Sequence, residues 1–155
     1  MRIAKSSTAA SSRVILLVDD NKMGLAARRA VLQEVGYTVV TAIHGQEALI
    51  AMETQVFDIV VTDWKMPKMD GIELIARLRE AKFAAPIILL SGFADSSGMS
   101  EEMTGADAVV QKSANEVQVL LSTVKRLLNR KPARKGPATQ SSPVAAAAKN
   151  KSKTG

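Results

Sequence analysis

The sequence predicts an α/β fold with a doubly wound parallel sheet and helices on both faces. Three observations lead there. Five short apolar segments, Val14–Val18, Tyr37–Thr41, Asp58–Thr62, Pro86–Leu90 and Ala108–Val110, alternate with stretches of helical periodicity. The first, third and fourth are nearly continuous Val, Ile and Leu, the composition of strands covered on both sides. Successive strand–helix units close with right-handed crossovers, which place helices over both faces of one sheet.

The elements follow in order. Residues 1–12 are small and polar, carry Arg2 and Lys5, and are expected to be disordered. The first strand runs into Asp19-Asp20-Asn21. Met23, Ala27, Ala30, Val31 and Val35 then share one face of a helix that Gly36 stops. After the second strand, the His44-Gly45 turn opens a short helix with Ala48, Leu49 and Met52. The third strand ends at Asp63. Gly71 precedes a helix with Leu74, Ile75, Leu78 and Ala81 inward. The fourth strand ends at Ser91. The segment Asp95–Thr104 has Met99 and Met103 as its apolar anchors and contains Gly98, so a short or mobile helix is expected. The fifth strand leads through Gln111 to Lys112. The last helix is the clearest, with Val117, Leu120, Leu121, Val124 and Leu128 at helical spacing, and Ser113 and Glu116 form a capping-box pattern. Residues 132–155, rich in Pro, Ala and Lys, are expected to be a disordered basic tail. The folded unit is expected to be 13–131.

The length of 155 residues suits one domain. Seven of the 21 Lys and Arg residues lie in the two ends, which hold no acid. The middle keeps 14 bases against all 15 acids, so the net charge of +6 belongs to the ends. A basic globular surface for nucleic acid is not supported; the tail could hold nucleic acid or an anionic membrane weakly, with steep salt dependence. No Cys is present, which excludes disulfides, thiol catalysis and Cys-based zinc sites. His44 is the one histidine, so no site needing two is possible, and its place before Gly45 reads as structural. Apolar runs such as Val14–Val18 fall far short of the ~18 residues of a membrane span. A secretory signal pattern is absent, and a soluble, cytoplasmic protein is expected. Neither common Gly-rich phosphate loop occurs.

In doubly wound sheets, ligands bind at the carboxyl ends of the strands. Those ends carry Asp19 and Asp20, Asp63, Ser91 and Lys112. Three converging carboxylates repel one another unless a cation neutralises them. A hard divalent ion answers that need, Mg²⁺ first, because it binds through one or two carboxylates and keeps positions for other oxygens. Metal, ammonium, hydroxyl and a carboxylate nucleophile together suit phosphoryl transfer onto an aspartate.

These residues resemble the receiver domain of bacterial two-component response regulators. Val14–Asp20 with Asn21 is similar to the family's acidic first strand end. Asp63-Trp64-Lys65-Met66-Pro67-Lys68-Met69-Asp70-Gly71 resembles its phosphoacceptor loop. Leu89-Leu90-Ser91-Gly92 matches the switch-hydroxyl strand, and Gly105–Lys112 matches the fifth strand and its lysine. The likeness covers about residues 13–130 and implies a flavodoxin-like five-stranded sheet in the order 2-1-3-4-5.

It implies roles as well. Asp63 would accept a phosphoryl group from a sensor histidine kinase or a histidine phosphotransfer protein. Asp20 would bind Mg²⁺ directly and Asp19 through water. Asp63 and the backbone carbonyl of Lys65 would complete the protein ligands. Lys112 would pair with the phosphoryl group and Ser91 would hydrogen-bond to it. Such a stand-alone receiver is not an enzyme in the usual sense; it assists its own phosphorylation and dephosphorylation and signals to a downstream protein target. Lys65 and Phe93 would flank the path of the attacking water, and a bulky Phe93 points to slow hydrolysis. Two positions depart from the family: Val109 stands where Tyr or Phe is usual, and Ser113 where Pro is usual. The first predicts an unusual readout through the last strand. The alternatives are a degenerate receiver that binds without phosphorylation, and a Mg²⁺-dependent phosphatase with an Asp nucleophile. The intact acidic site argues against the former. The latter usually shows Asp-x-Asp at the end of strand one, where this chain has Asp-Asp-Asn.

Overall fold

The computed structural model describes residues 12–92 and 104–130. Most of the expected helix at 95–104, Phe93 and nearly all of both chain ends lie outside the described residues. Within them run β1 (Val14–Val18), α1 (Lys22–Glu34), β2 (Thr38–Ala42), α2 (Gly45–Thr54), β3 (Ile59–Asp63), α3 (Gly71–Glu80), β4 (Ile87–Ser91), β5 (Ala108–Gln111) and α4 (Glu116–Leu128). The strands form one parallel sheet in the order β2-β1-β3-β4-β5. Among the described residues no helix is long and apolar enough to cross a membrane.

Alternation along the strands divides the core in two, because residues two apart share a face. Ile15, Leu17, Val61 and Leu90 pack against Leu25 and Leu32 of α1 and against Leu120, Val124 and Leu127 of α4. Leu16, Val18, Val60 and Leu89 pack against Ala48 of α2 and against Leu74, Ile75 and Leu78 of α3. Every residue of β3 and β4 is buried, which explains the apolar runs Ile59–Val61 and Ile87–Leu90.

Several expected boundaries move by one residue. β2, β3 and β4 begin after Tyr37, Asp58 and Pro86, and β5 continues through Gln111. Asp58 precedes its strand because its carboxylate accepts from Val14 N–H at 2.7 Å, closing the entrance to the β1–β3 pair. Ala81 falls just past α3 as its C-cap and is exposed.

The expected inward face of α1 is a larger correction. Met23 is 83% exposed and Val35 55%, Ala27 and Ala30 are also exposed, and Val31 is half-buried. Leu25 and Leu32 fill the core instead. Arg28 lies one turn from each of them, and its guanidinium is drawn under the helix by two carboxylates. A charge on the inward face hides the helical periodicity from a hydropathy reading.

The expected capping box of α4 does not form. Asn115 caps the helix without a side-chain hydrogen bond, and Ser113 contributes its carbonyl, which accepts from Glu116 N–H at 3.1 Å. The Glu116 carboxylate is engaged by Arg28. Val117 sits at the margin of the buried stripe, 36% exposed.

The other helices start at the rim on side-chain caps. Asn21 Oδ1 accepts from Met23 and Gly24 N–H, and Asp70 Oδ1 accepts from Glu73 N–H. His44 Nδ1 accepts from Glu47 N–H at 3.2 Å while Glu47 Oε1 accepts from Ile43 N–H, a reciprocal cap that accounts for the single histidine.

Candidate functional site

The β1–β3 register ends with Val18 opposite Thr62. Asp19 and Asp63 therefore emerge side by side at the next position, and Asp20 follows. Asp19 is 1% exposed and Asp63 4%, whereas Asp20 is exposed. One oxygen from each of the three carboxylates lies within 4.8 Å of the other two.

Two cations already neutralise part of this charge. Lys112 Nζ stands 2.5 Å from Asp63 Oδ1. Arg28 Nη1 donates to Asp19 Oδ2 at 2.5 Å, and Asn21 N–H donates to Asp19 Oδ1 at 2.9 Å. Burial pushes the Asp63 carboxyl above the usual carboxylate range; the hydrogen bond from Lys112 opposes this, and the charge of Asp19 adds to it. The donors are all hard oxygens, with no imidazole or thiolate, and this set fits a hard divalent cation.

Ser91 and Lys112 reach the same rim from the adjoining strands. Leu90 pairs with Asp63, so Ser91 lies one residue beyond the acid on the neighbouring strand, and it pairs in turn with Gln111. Ser91 is fully buried, its Oγ donates to Gly92 O at 3.3 Å, and its carbonyl accepts from Lys112 N–H at 2.8 Å. The loop after Asp63 folds back tightly. Gly71 N–H donates to Trp64 O at 2.7 Å, and a Cβ at 71 would stand 2.3 Å from the Asp63 carbonyl oxygen. Only glycine allows that approach. Met66 and Met69 pack inward beneath this loop. Trp64 is half-buried, and exposed Lys65 lays its Nζ 4.2 Å from the Trp64 ring centroid. Val109 is half-buried and packs with the α2–α3 side of the core.

Sequence reasoning missed Arg28 and Glu116. Arg28 donates from Nε and Nη2 to the Glu116 carboxylate and from Nη1 to Asp19, with its side chain 11% exposed. Burial works to lower the Arg28 pKa, but Glu116 and then Asp19 outweigh it and the net shift is upward. A sequence trace exists in Gly24, an otherwise unfavourable residue for a helical turn. A Cβ there would meet Arg28 Nη1 at 3.1 Å and Asp19 Oδ2 at 3.4 Å.

Comparison with known proteins points to one family. The family model described as the response regulator receiver domain matches residues 15–125. A gliding motility regulatory protein of Myxococcus xanthus is 33% identical over 129 residues, covering 81% of this chain and 17% of that protein. The alkaline phosphatase synthesis transcriptional regulatory protein PhoP of Bacillus subtilis is 40% identical over 80 residues, covering 52% of this chain and 33% of its own length. The chain thus spans a third or less of these curated relatives. Among solved structures, the Francisella response regulator 1452 receiver domain superposes with a TM-score of 0.70 at 30% identity, covering 77% of this chain and 98% of that one. The response regulator TrrA of Thermotoga maritima, in complex with Mg²⁺-BeF, gives 0.66 at 37% identity, covering 74% and 98%.

Proposed function

The chain belongs to the response regulator receiver domain family, and on that premise we propose that Asp63 accepts a phosphoryl group from a sensor histidine kinase or a histidine phosphotransfer protein. The observation that carries this reading is the meeting of Asp19, Asp20 and Asp63 with the Lys112 ammonium at one strand-end rim.

The step follows from the residues present. An ionised Asp63 oxygen attacks phosphorus, a P–O bond forms, and the P–N bond of the phosphohistidine breaks toward the ring nitrogen. Lys112 exchanges its carboxylate partner for a phosphoryl oxygen, so its positive charge follows the charge being transferred. The Ser91 hydroxyl turns from its own strand end to a second phosphoryl oxygen. Asp19, Asp20, Asp63 and the main-chain carbonyl of Lys65 would hold Mg²⁺, which when bound neutralises charge on the phosphoryl oxygens. The protein assists its own phosphorylation and dephosphorylation in this reading, and acts on no separate substrate. It signals through contacts with a downstream protein in the cytoplasm.

Val109 offers no aromatic ring to carry the phosphorylated state outward along β5, so the readout is expected at the rim loops and the elements tied to them. Addition of beryllofluoride to protein already held in saturating Mg²⁺ tests the reading. Trp64 fluorescence should change in the wild type and stay unchanged in Asp63→Asn. An equal change in both would remove Asp63 from the acceptor role.

A further inference from the structure

Arg28 has no part in the phosphoryl step, yet it joins the acidic cluster to a second helix through Asp19 and Glu116. We propose that Arg28 is a positioning residue that couples cation occupancy of the cluster to the first turn of α4. The proposal rests on the reading of Asp19, Asp20 and Asp63 as a Mg²⁺ site.

The guanidinium has three engagements and one rigid plane. Nη1 holds Asp19 Oδ2 at 2.5 Å, and Nε and Nη2 hold Glu116 in the first turn of α4. The planar fork cannot follow two carboxylates that move independently. It is also nearly buried, so solvent does little to screen either contact. Gly24 leaves the space in which Nη1 passes to Asp19. At the other end, Asn115 makes no side-chain cap, and the Glu116 carboxylate ties the start of α4 to Arg28.

The consequence is a competition. Asp19 has one negative charge to share between the guanidinium on Oδ2 and a divalent ion in the cluster. A cation entering the cluster weakens the pull of Asp19 on Arg28, and the fork then settles toward Glu116. Coupling of this kind is reciprocal. Loss of Arg28 frees Asp19 and tightens the ion. Loss of the Glu116 charge releases Arg28 toward Asp19 and loosens the ion.

A double-mutant cycle read by calorimetry of Mg²⁺ binding tests this, using the full chain as wild type, Arg28→Met, Glu116→Gln and the double variant. Arg28→Met should bind Mg²⁺ about tenfold more tightly, within the usual range for coupled sites. Glu116→Gln should bind more weakly, and this weakening should vanish in the Arg28→Met background. An undiminished Glu116→Gln effect in that background would mean simple through-space charge and would overturn the proposal. Arg28→Lys keeps the charge but loses the fork. It provides a second background for the same cycle should Arg28→Met not fold, with the same outcome expected. Asp20→Asn separates the two levels of the argument. If it binds Mg²⁺ as the wild type does, the metal-site reading fails; if it loses binding while the cycle is additive, only the coupling fails.

Discussion

Lys112 Nζ lies 2.5 Å from Asp63 Oδ1, joining the end of β5 to the end of β3 across the intervening β4. The pair couples an ammonium to a buried carboxylate whose affinity for protons is already raised. Replacement of Lys112 by Ala should raise the Asp63 pKa further, because the hydrogen bond from Lys112 is the largest influence opposing burial. Phosphorylation by a small acyl phosphate should slow by about a hundredfold, the order expected for losing one charged group at a site of developing charge. A time course of intact mass measures the rate.

The raised Asp63 pKa also fixes the sign of a stability effect. Between its ordinary value in the unfolded chain and its higher value in the folded chain, the native state binds the extra proton. Stability contributed by that proton is present at low pH and is lost as pH rises through the folded value. In EDTA at neutral pH, Asp63→Asn should therefore melt at a higher temperature than wild type. The gap should narrow as pH falls toward about 4, the ordinary carboxylate range. Thermal melts across that interval check the trend, and a less stable Asp63→Asn at neutral pH would oppose it.

Trp64 follows Asp63 and lies half-buried beneath Lys65. Its emission should respond to Mg²⁺ saturably and return to the starting value on addition of EDTA. Asp20→Asn should lose the saturable response at the same concentrations. An equal response in that variant would place the ion elsewhere.

A second network operates far from this rim. Asp107 Oδ2 accepts from Arg79 Nη2 at 2.7 Å and from Ile87 N–H at 2.8 Å, while Arg79 Nη1 donates to the Phe83 and Ala85 carbonyls. It fastens the turn after α3 to the starts of β4 and β5. Asp107→Ala should cost about 1–3 kcal/mol, since a part-buried guanidinium and an N–H lose their acceptor. Urea unfolding measures it, and phosphorylation of the folded variant should be unchanged.

The degree to which the sequence revealed these features follows from the range of the interactions involved. β1, β3 and β4 were legible because near-complete burial leaves a nearly continuous Val/Ile/Leu record, and the residues at or just past their ends marked the acids and the serine of the rim. The inward face of α1 was not legible, because Arg28 stands among Leu25 and Leu32 and owes its burial to Asp19 and to Glu116, 88 positions away. The same long-range contact removed Glu116 from the cap its spacing with Ser113 suggested. Local periodicity carries no trace of a pair formed only when α1 and α4 pack on one face of the sheet.

The most direct test of the central claim is the intact mass of the chain after incubation with Mg²⁺ and a small acyl-phosphate donor, wild type beside Asp63→Asn. The account expects one added phosphoryl group in the wild type, dependent on Mg²⁺, and none in the variant. Equal modification of both chains, or none of either under conditions that load another receiver, would contradict it.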